Sequence, residues 1–86
     1  MIKKLREEID EIDASLLKLL AARLELSAKI GDYKKRNKLP IQDRKREIEM
    51  IKSRVHIFAE FGFNDEQFVG KLFELILEKS RKIQYE

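Results

Sequence analysis

Arg23 falls at a position that the surrounding pattern reserves for an apolar side chain. Ile2, Leu5, Ile9, Ile12, Leu16 and Leu19 recur at alternating steps of three and four, and after Arg23 come Leu26, Ile30 and Tyr33 in the same rhythm. A seam of this kind, kept up over most of a long helix, faces a neighbouring helix. A cation placed in it without an anion is costly. Three accounts are open. Arg23 sets the register of a coiled coil, its stem carries the charge out to water, or the missing anion is a ligand. Lys34 favours the ligand. Eleven residues make about three turns, so Lys34 lies within about 20° of Arg23 on one face, roughly 16 Å further along the axis. The two long side chains can converge on one small dianion.

Arg6 lies on the flank of the same seam but roughly 25 Å from Arg23, a gap no small ligand spans. It can join such a site only from another chain. In an antiparallel pair centred near Leu17, Arg6 of one chain falls opposite the stretch midway between Arg23 and Lys34 of the other. Further along, Asp43, Arg46 and Glu47 are spaced three and four apart and share one side of a helix. The plainer account of these three is an N-cap followed by surface charges. Ser80 and Gln84, one turn apart, continue an apolar stripe with neutral hydrogen-bonding groups. They read either as a frayed C-terminal turn or as the wall of a site.

The elements that position these residues are helices. Nothing interrupts the seam before Pro40, and Gly31 inside it costs about 1 kcal/mol relative to Ala. A first helix is expected from about Ile2 to about Lys38. A helix of that length, roughly 50 Å, cannot be covered by the residues that remain and needs a partner. Proline biases Leu39 away from the helical region. Asp43 is a good N-cap for a second helix, whose apolar face is Ile48, Ile51, Val55 and Phe58 and whose C′ residue is Gly62. Asn64 with Gln67 three residues on reads as a capping box. The third helix then runs to about the C-terminus, with Phe68, Leu72, Leu75, Ile76 and Ile83 as its core face. The expected class is all-α, with one domain over residues 1–86 made of a long and two medium helices.

Composition narrows the chemistry. There are three glycines, one proline, no cysteine and one histidine, His56. Disulfide scaffolds, zinc fingers, catalytic thiols and a Ser-His-Asp triad are excluded. No apolar run is long enough for a membrane span, and the first residues do not read as a secretory signal. A soluble cytoplasmic protein is expected. Nineteen basic and 16 acidic residues give a net charge of +3, with the signs mixed along the chain and no aromatic interleaving. That argues against nucleic acid as the partner.

The ordered set Arg6, Arg23, Lys34, Pro40-Ile41-Gln42-Asp43-Arg44-Lys45-Arg46-Glu47, Ser80 and Gln84 resembles the all-helical chorismate mutases over nearly the whole chain. The resemblance implies an intertwined helical-bundle homodimer that converts chorismate to prephenate by a Claisen rearrangement, without metal or cofactor. It implies that Arg23, and Arg6 from the partner chain, grip the substrate carboxylates. Lys34 and Gln84 would donate to the ether oxygen, and Glu47, with the Asp43 backbone, would hold the ring hydroxyl. Ser80 would add a carboxylate contact and Arg46 would support the anionic groups. An isochorismate pyruvate lyase, which resembles this family, and a non-catalytic coiled-coil dimerisation module are the alternatives.

Overall fold

A computed structural model describes all 86 residues. The chain forms three helices and no strands: α1 (Ile2–Arg36), α2 (Arg44–Glu60) and α3 (Glu66–Tyr85). α1 spans 35 residues, which sets the 55 Å long axis of a particle only 24 × 16 Å in its other dimensions. It ends two residues before the expected boundary. Asn37 turns back on the last turn, its backbone N–H and its side-chain amide both donating to the Tyr33 carbonyl at 3.0 and 2.8 Å. Lys38 then takes a left-handed conformation, φ 55°, and the chain runs through Pro40 to α2.

Asp43 caps α2 as expected, its Oδ1 accepting from the Arg46 N–H at 3.1 Å. The other end of α2 is a Schellman turn. Gly62, at φ 94°, donates to the Ala59 carbonyl at 2.9 Å, and Phe63 donates to the Phe58 carbonyl at 3.2 Å. Phe58 and Phe63 stack with centroids 5.1 Å apart, the apolar contact that accompanies this motif. The cap of α3 corrects the sequence-based expectation. It is Asp65, not Asn64, and Asp65 Oδ1 accepts from the Phe68 N–H at 3.0 Å. Both residue types cap well, but a carboxylate also gains from the positive end of the helix dipole.

α3 packs between the other two. Its backbone approaches both α1 and α2, whereas α1 and α2 do not approach one another. The face that α3 buries also differs from expectation. Val69, Leu77, Ser80 and Gln84 are buried, while Phe68, Leu72 and Leu75 are 50%, 41% and 67% exposed. Ser80 and Gln84 are the side chains that α3 presents to α1, where the two helices cross tightly. Gly31 lies against Gln84 so closely that a Cβ at residue 31 would sit 2.7 Å from the Gln84 Cα.

One chain buries little. Eight of 86 residues are buried, and only Met50, Val69 and Leu77 of these are large apolar side chains. The α1 seam is open along its first half, with Ile12, Leu16 and Leu19 each more than 60% exposed. A core of this size does not hold a small domain by itself.

The Gly31 crossing is directly testable. Gly31→Ala is expected to lower unfolding stability by about 1–3 kcal/mol, the cost of overpacking a fixed contact. Urea denaturation at fixed chain concentration measures it. Without the close contact, Ala would instead stabilise the helix by about 1 kcal/mol.

Candidate active site

The three helices enclose a cleft of about 650 Å³ lined by Arg23 and Lys34 of α1, Asp43, Arg46 and Glu47 at the start of α2, and Ser80 and Gln84 of α3. Seven of the eight candidate residues therefore come together, although they are spread over 62 residues of sequence (Arg23 to Gln84). Arg6 does not join them. It is exposed near the far end of α1, in the segment where that helix has no neighbour within the chain.

Lys34 is aimed by two acceptors. Its Nζ donates to the Ile41 carbonyl at 2.7 Å and to Gln84 Oε1 at 3.2 Å. An ammonium has three N–H groups, so one is left for a ligand. The Ile41 bond draws the segment after α1 back over the end of the helix, where the Leu39 N–H also returns to the Lys34 carbonyl at 2.8 Å. Because Lys34 can only donate, the Gln84 atom facing it must be the oxygen. Gln84 Nε2 then faces Ser80, donating to its Oγ at 3.2 Å and keeping a second N–H free. The chain continues inward. Ser80 donates to Ser27 Oγ at 2.6 Å, and Ser27 donates to the Arg23 carbonyl at 3.1 Å. Ser27, Ser80 and Gln84 are all buried. The proton of Ser80 is committed to Ser27, so in this state Ser80 braces the Gln84 amide from behind.

Arg23 donates to the Met50 sulfur at 3.6 Å, a weak acceptor. Burial, followed by repulsion from Arg54 and then Arg46, lowers the affinity of the Arg23 guanidinium for its proton. No carboxylate lies within ion-pair distance of any of these three arginines. Arg54 instead rests over the Phe73 ring, 6.0 Å from its centroid. A guanidinium stays charged throughout the accessible pH range, so the desolvation is uncompensated until an anion binds.

Glu47 supplies the opposite charge at the far wall. It is buried in the first turn of α2, where the helix dipole favours an anion. Its Oε2 accepts from Arg81 Nη1 at 2.8 Å, and Oε1 has no hydrogen-bond donor. The cleft therefore offers unpaired cations, a fixed donor pair and a buried anionic acceptor. It presents no paired nucleophile and base.

Ser27 and Arg81 belong to the site but not to the set read from sequence. Ser27 follows Arg23 by one turn, so its face was legible. Nothing local marks Arg81, whose partner is 34 residues away.

A sequence description of chorismate mutase type II matches residues 5–85. The chain belongs to that family. It is 34% identical to a chorismate mutase of Methanocaldococcus jannaschii over 87 residues, covering 98% of this chain and 87% of that protein. It is 52% identical to the T-protein of Enterobacter agglomerans over 50 residues, 58% of this chain but 13% of that longer protein. The chain thus spans only a small part of some of its relatives. Among solved structures, a conserved hypothetical protein from Pyrococcus furiosus superposes with a TM-score of 0.77 at 42% identity, covering 96% of this chain and 93% of that one.

Replacing Arg23 by Leu separates ligand binding from folding. Arg23→Leu fills a seam position with an apolar side chain and removes a desolvated charge, so the melting temperature is expected to hold or rise. Binding of a dicarboxylate ligand is expected to fall by at least about 100-fold, in line with loss of a buried charge-assisted bond. Thermal unfolding and titration calorimetry on the same variant check both. A less stable variant that still binds would make Arg23 structural.

Proposed function

We propose that this chain catalyses the rearrangement of chorismate to prephenate, as a homodimer in the cytoplasm. The observation that carries this reading is the Lys34–Gln84 pair. Each keeps one N–H unspent, and both are fixed in a cleft that also holds unpaired arginines and a buried carboxylate.

The reaction is unimolecular. The ether C–O bond breaks as a new C–C bond forms, and no proton moves. Catalysis therefore consists of holding a compact conformer and stabilising the charge that grows on the ether oxygen. Lys34 meets that charge with its third N–H, and Gln84 with its free amide N–H. Fixed donors of this kind are worth about 3–4 kcal/mol each in the barrier. Arg23 takes one substrate carboxylate, with Arg46 at the mouth of the cleft adding positive potential. The Glu47 carboxylate accepts from the ring hydroxyl. Ser80 contacts a carboxylate only if its hydroxyl turns from Ser27.

The second carboxylate needs a further cation. Arg6 is the residue proposed for it, from the partner chain. Two features support a dimer: the open apolar seam of α1 and the roughly 25 Å of helix between Arg6 and Arg23.

The test has two parts. Purified protein is incubated with chorismate, and prephenate is measured; isochorismate is supplied in parallel, and release of pyruvate from it alone would favour the lyase. Arg6→Ala and Arg23→Ala chains, each inactive alone, are then unfolded together and refolded. Heterodimers are expected to regain about one working site in two, since one site in each receives both native arginines. No recovery would refute shared sites.

The pH profile tests Gln84. An amide donates at any pH, so kcat is expected to be flat from about pH 5 to 9. In Gln84→Glu the introduced carboxylate donates only when protonated. Activity should be low at neutral pH and rise as pH falls through its pKa, which Lys34 lowers and burial raises. A flat profile for the variant would leave Lys34 as the only donor to the ether oxygen.

A further inference from the structure

Glu47 is held between two guanidinium groups. Arg81 donates to Oε2 at 2.8 Å, and Arg44 Nη1 lies 3.5 Å from Oε1, inside ion-pair distance but without a hydrogen bond. The Glu47 side chain is 8% exposed and that of Arg81 27%, so the pair is shielded from bulk solvent. It also separates two clefts. The active-site cleft lies on one side, and a smaller cleft of about 420 Å³, reached by Arg44 and Lys71, lies on the other. The neighbouring cations leave the surroundings of this carboxylate with no net negative charge.

We propose that Arg81 is a specificity-determining positioning residue. By binding Glu47 Oε2 and neutralising the carboxylate, it makes the site accept an uncharged hydroxyl on the substrate ring and reject a cationic amino group in the same place. The proposal rests on the mutase reading above. A hydroxyl needs only a lone pair, and the Glu47 carboxylate, which lines the cleft, accepts only one hydrogen bond from the protein. An ammonium must shed more hydration and needs a net negative charge to offset that loss. Arg81 has taken that charge up. The Arg81 bond, with the Arg44 ion pair on the other oxygen, also fixes the plane of the carboxylate about its last torsion. Discrimination therefore comes from a repulsive element beside the contact as well as from the contact itself.

The experiment compares chorismate with 4-amino-4-deoxychorismate, whose aliphatic amine is protonated at neutral pH. Both compounds carry the same two carboxylates and the same ether oxygen. Loss of folded or assembled protein lowers the rate on both alike and cancels in the ratio of their kcat/KM values. The parent chain is expected to favour the hydroxyl compound. In Arg81→Leu the ratio should move toward the amino compound by at least about tenfold. For chorismate the change should appear chiefly in KM, because the hydroxyl carries no developing charge and its contact is made in ground and transition states alike. Arg81→Lys keeps the charge and should restore most of the preference. A ratio unchanged in Arg81→Leu, with both substrates affected equally, would overturn the proposal and leave Arg81 a structural ion pair. So would a parent that favours the amino compound. A parent that turns over neither compound refutes the mutase reading instead.

Discussion

The crossing of α1 and α3 at Gly31 is the contact from which the site follows. Only a residue without a Cβ lets the α3 backbone at Gln84 come this close. At that distance the Gln84 amide meets the Lys34 ammonium, and Ser80 meets Ser27 one turn earlier. Each of these bonds joins residues at least 50 apart in sequence. A wider crossing would leave the same side chains facing water, with their rotamers free and their donors unaimed.

Charge in the cleft is arranged by separation. Arg23 is repelled by Arg54 and Arg46 and lacks a carboxylate, while Glu47 is neutralised by Arg81. Asp43, the other carboxylate lining the cleft, is engaged as the cap of α2. Arg23 thus stays desolvated and unpaired, a cost the protein carries without a ligand. An anionic ligand relieves it, so part of the binding energy is already stored in the fold. The donors at Lys34 and Gln84 are held by bonds to the protein and need no reorganisation when charge develops beside them.

The same economy governs the hydrophobic residues. Three large apolar side chains are buried in one chain, and the long seam of α1 is left open. No segment of this chain covers the first half of the seam. The proposed dimer would cover the seam and bring Arg6 to the cleft in a single packing event, which ties folding of the helix to completion of the site.

Much of this architecture could be read locally. Three helices, the break at Pro40, the Asp43 cap and the Gly62 turn each depend on a few adjacent residues and their backbone preferences. Periodicity also placed Arg23 and Lys34 on one face and Ser80 beside Gln84. Matching the whole ordered set of polar residues to a known family gave the candidates their roles. Other features were settled by tertiary structure. The cap of α3 fell to Asp65 and not to its neighbour Asn64, although both residue types cap well. The close approach of α3 at Gln84 depends on a glycine of another helix. Ser27 as a brace and Arg81 as the partner of Glu47 depend on what lies across a helix crossing. Periodicity determines which side chains share a face. What that face meets is decided only when distant segments pack, because the distances between them are not encoded in any one segment.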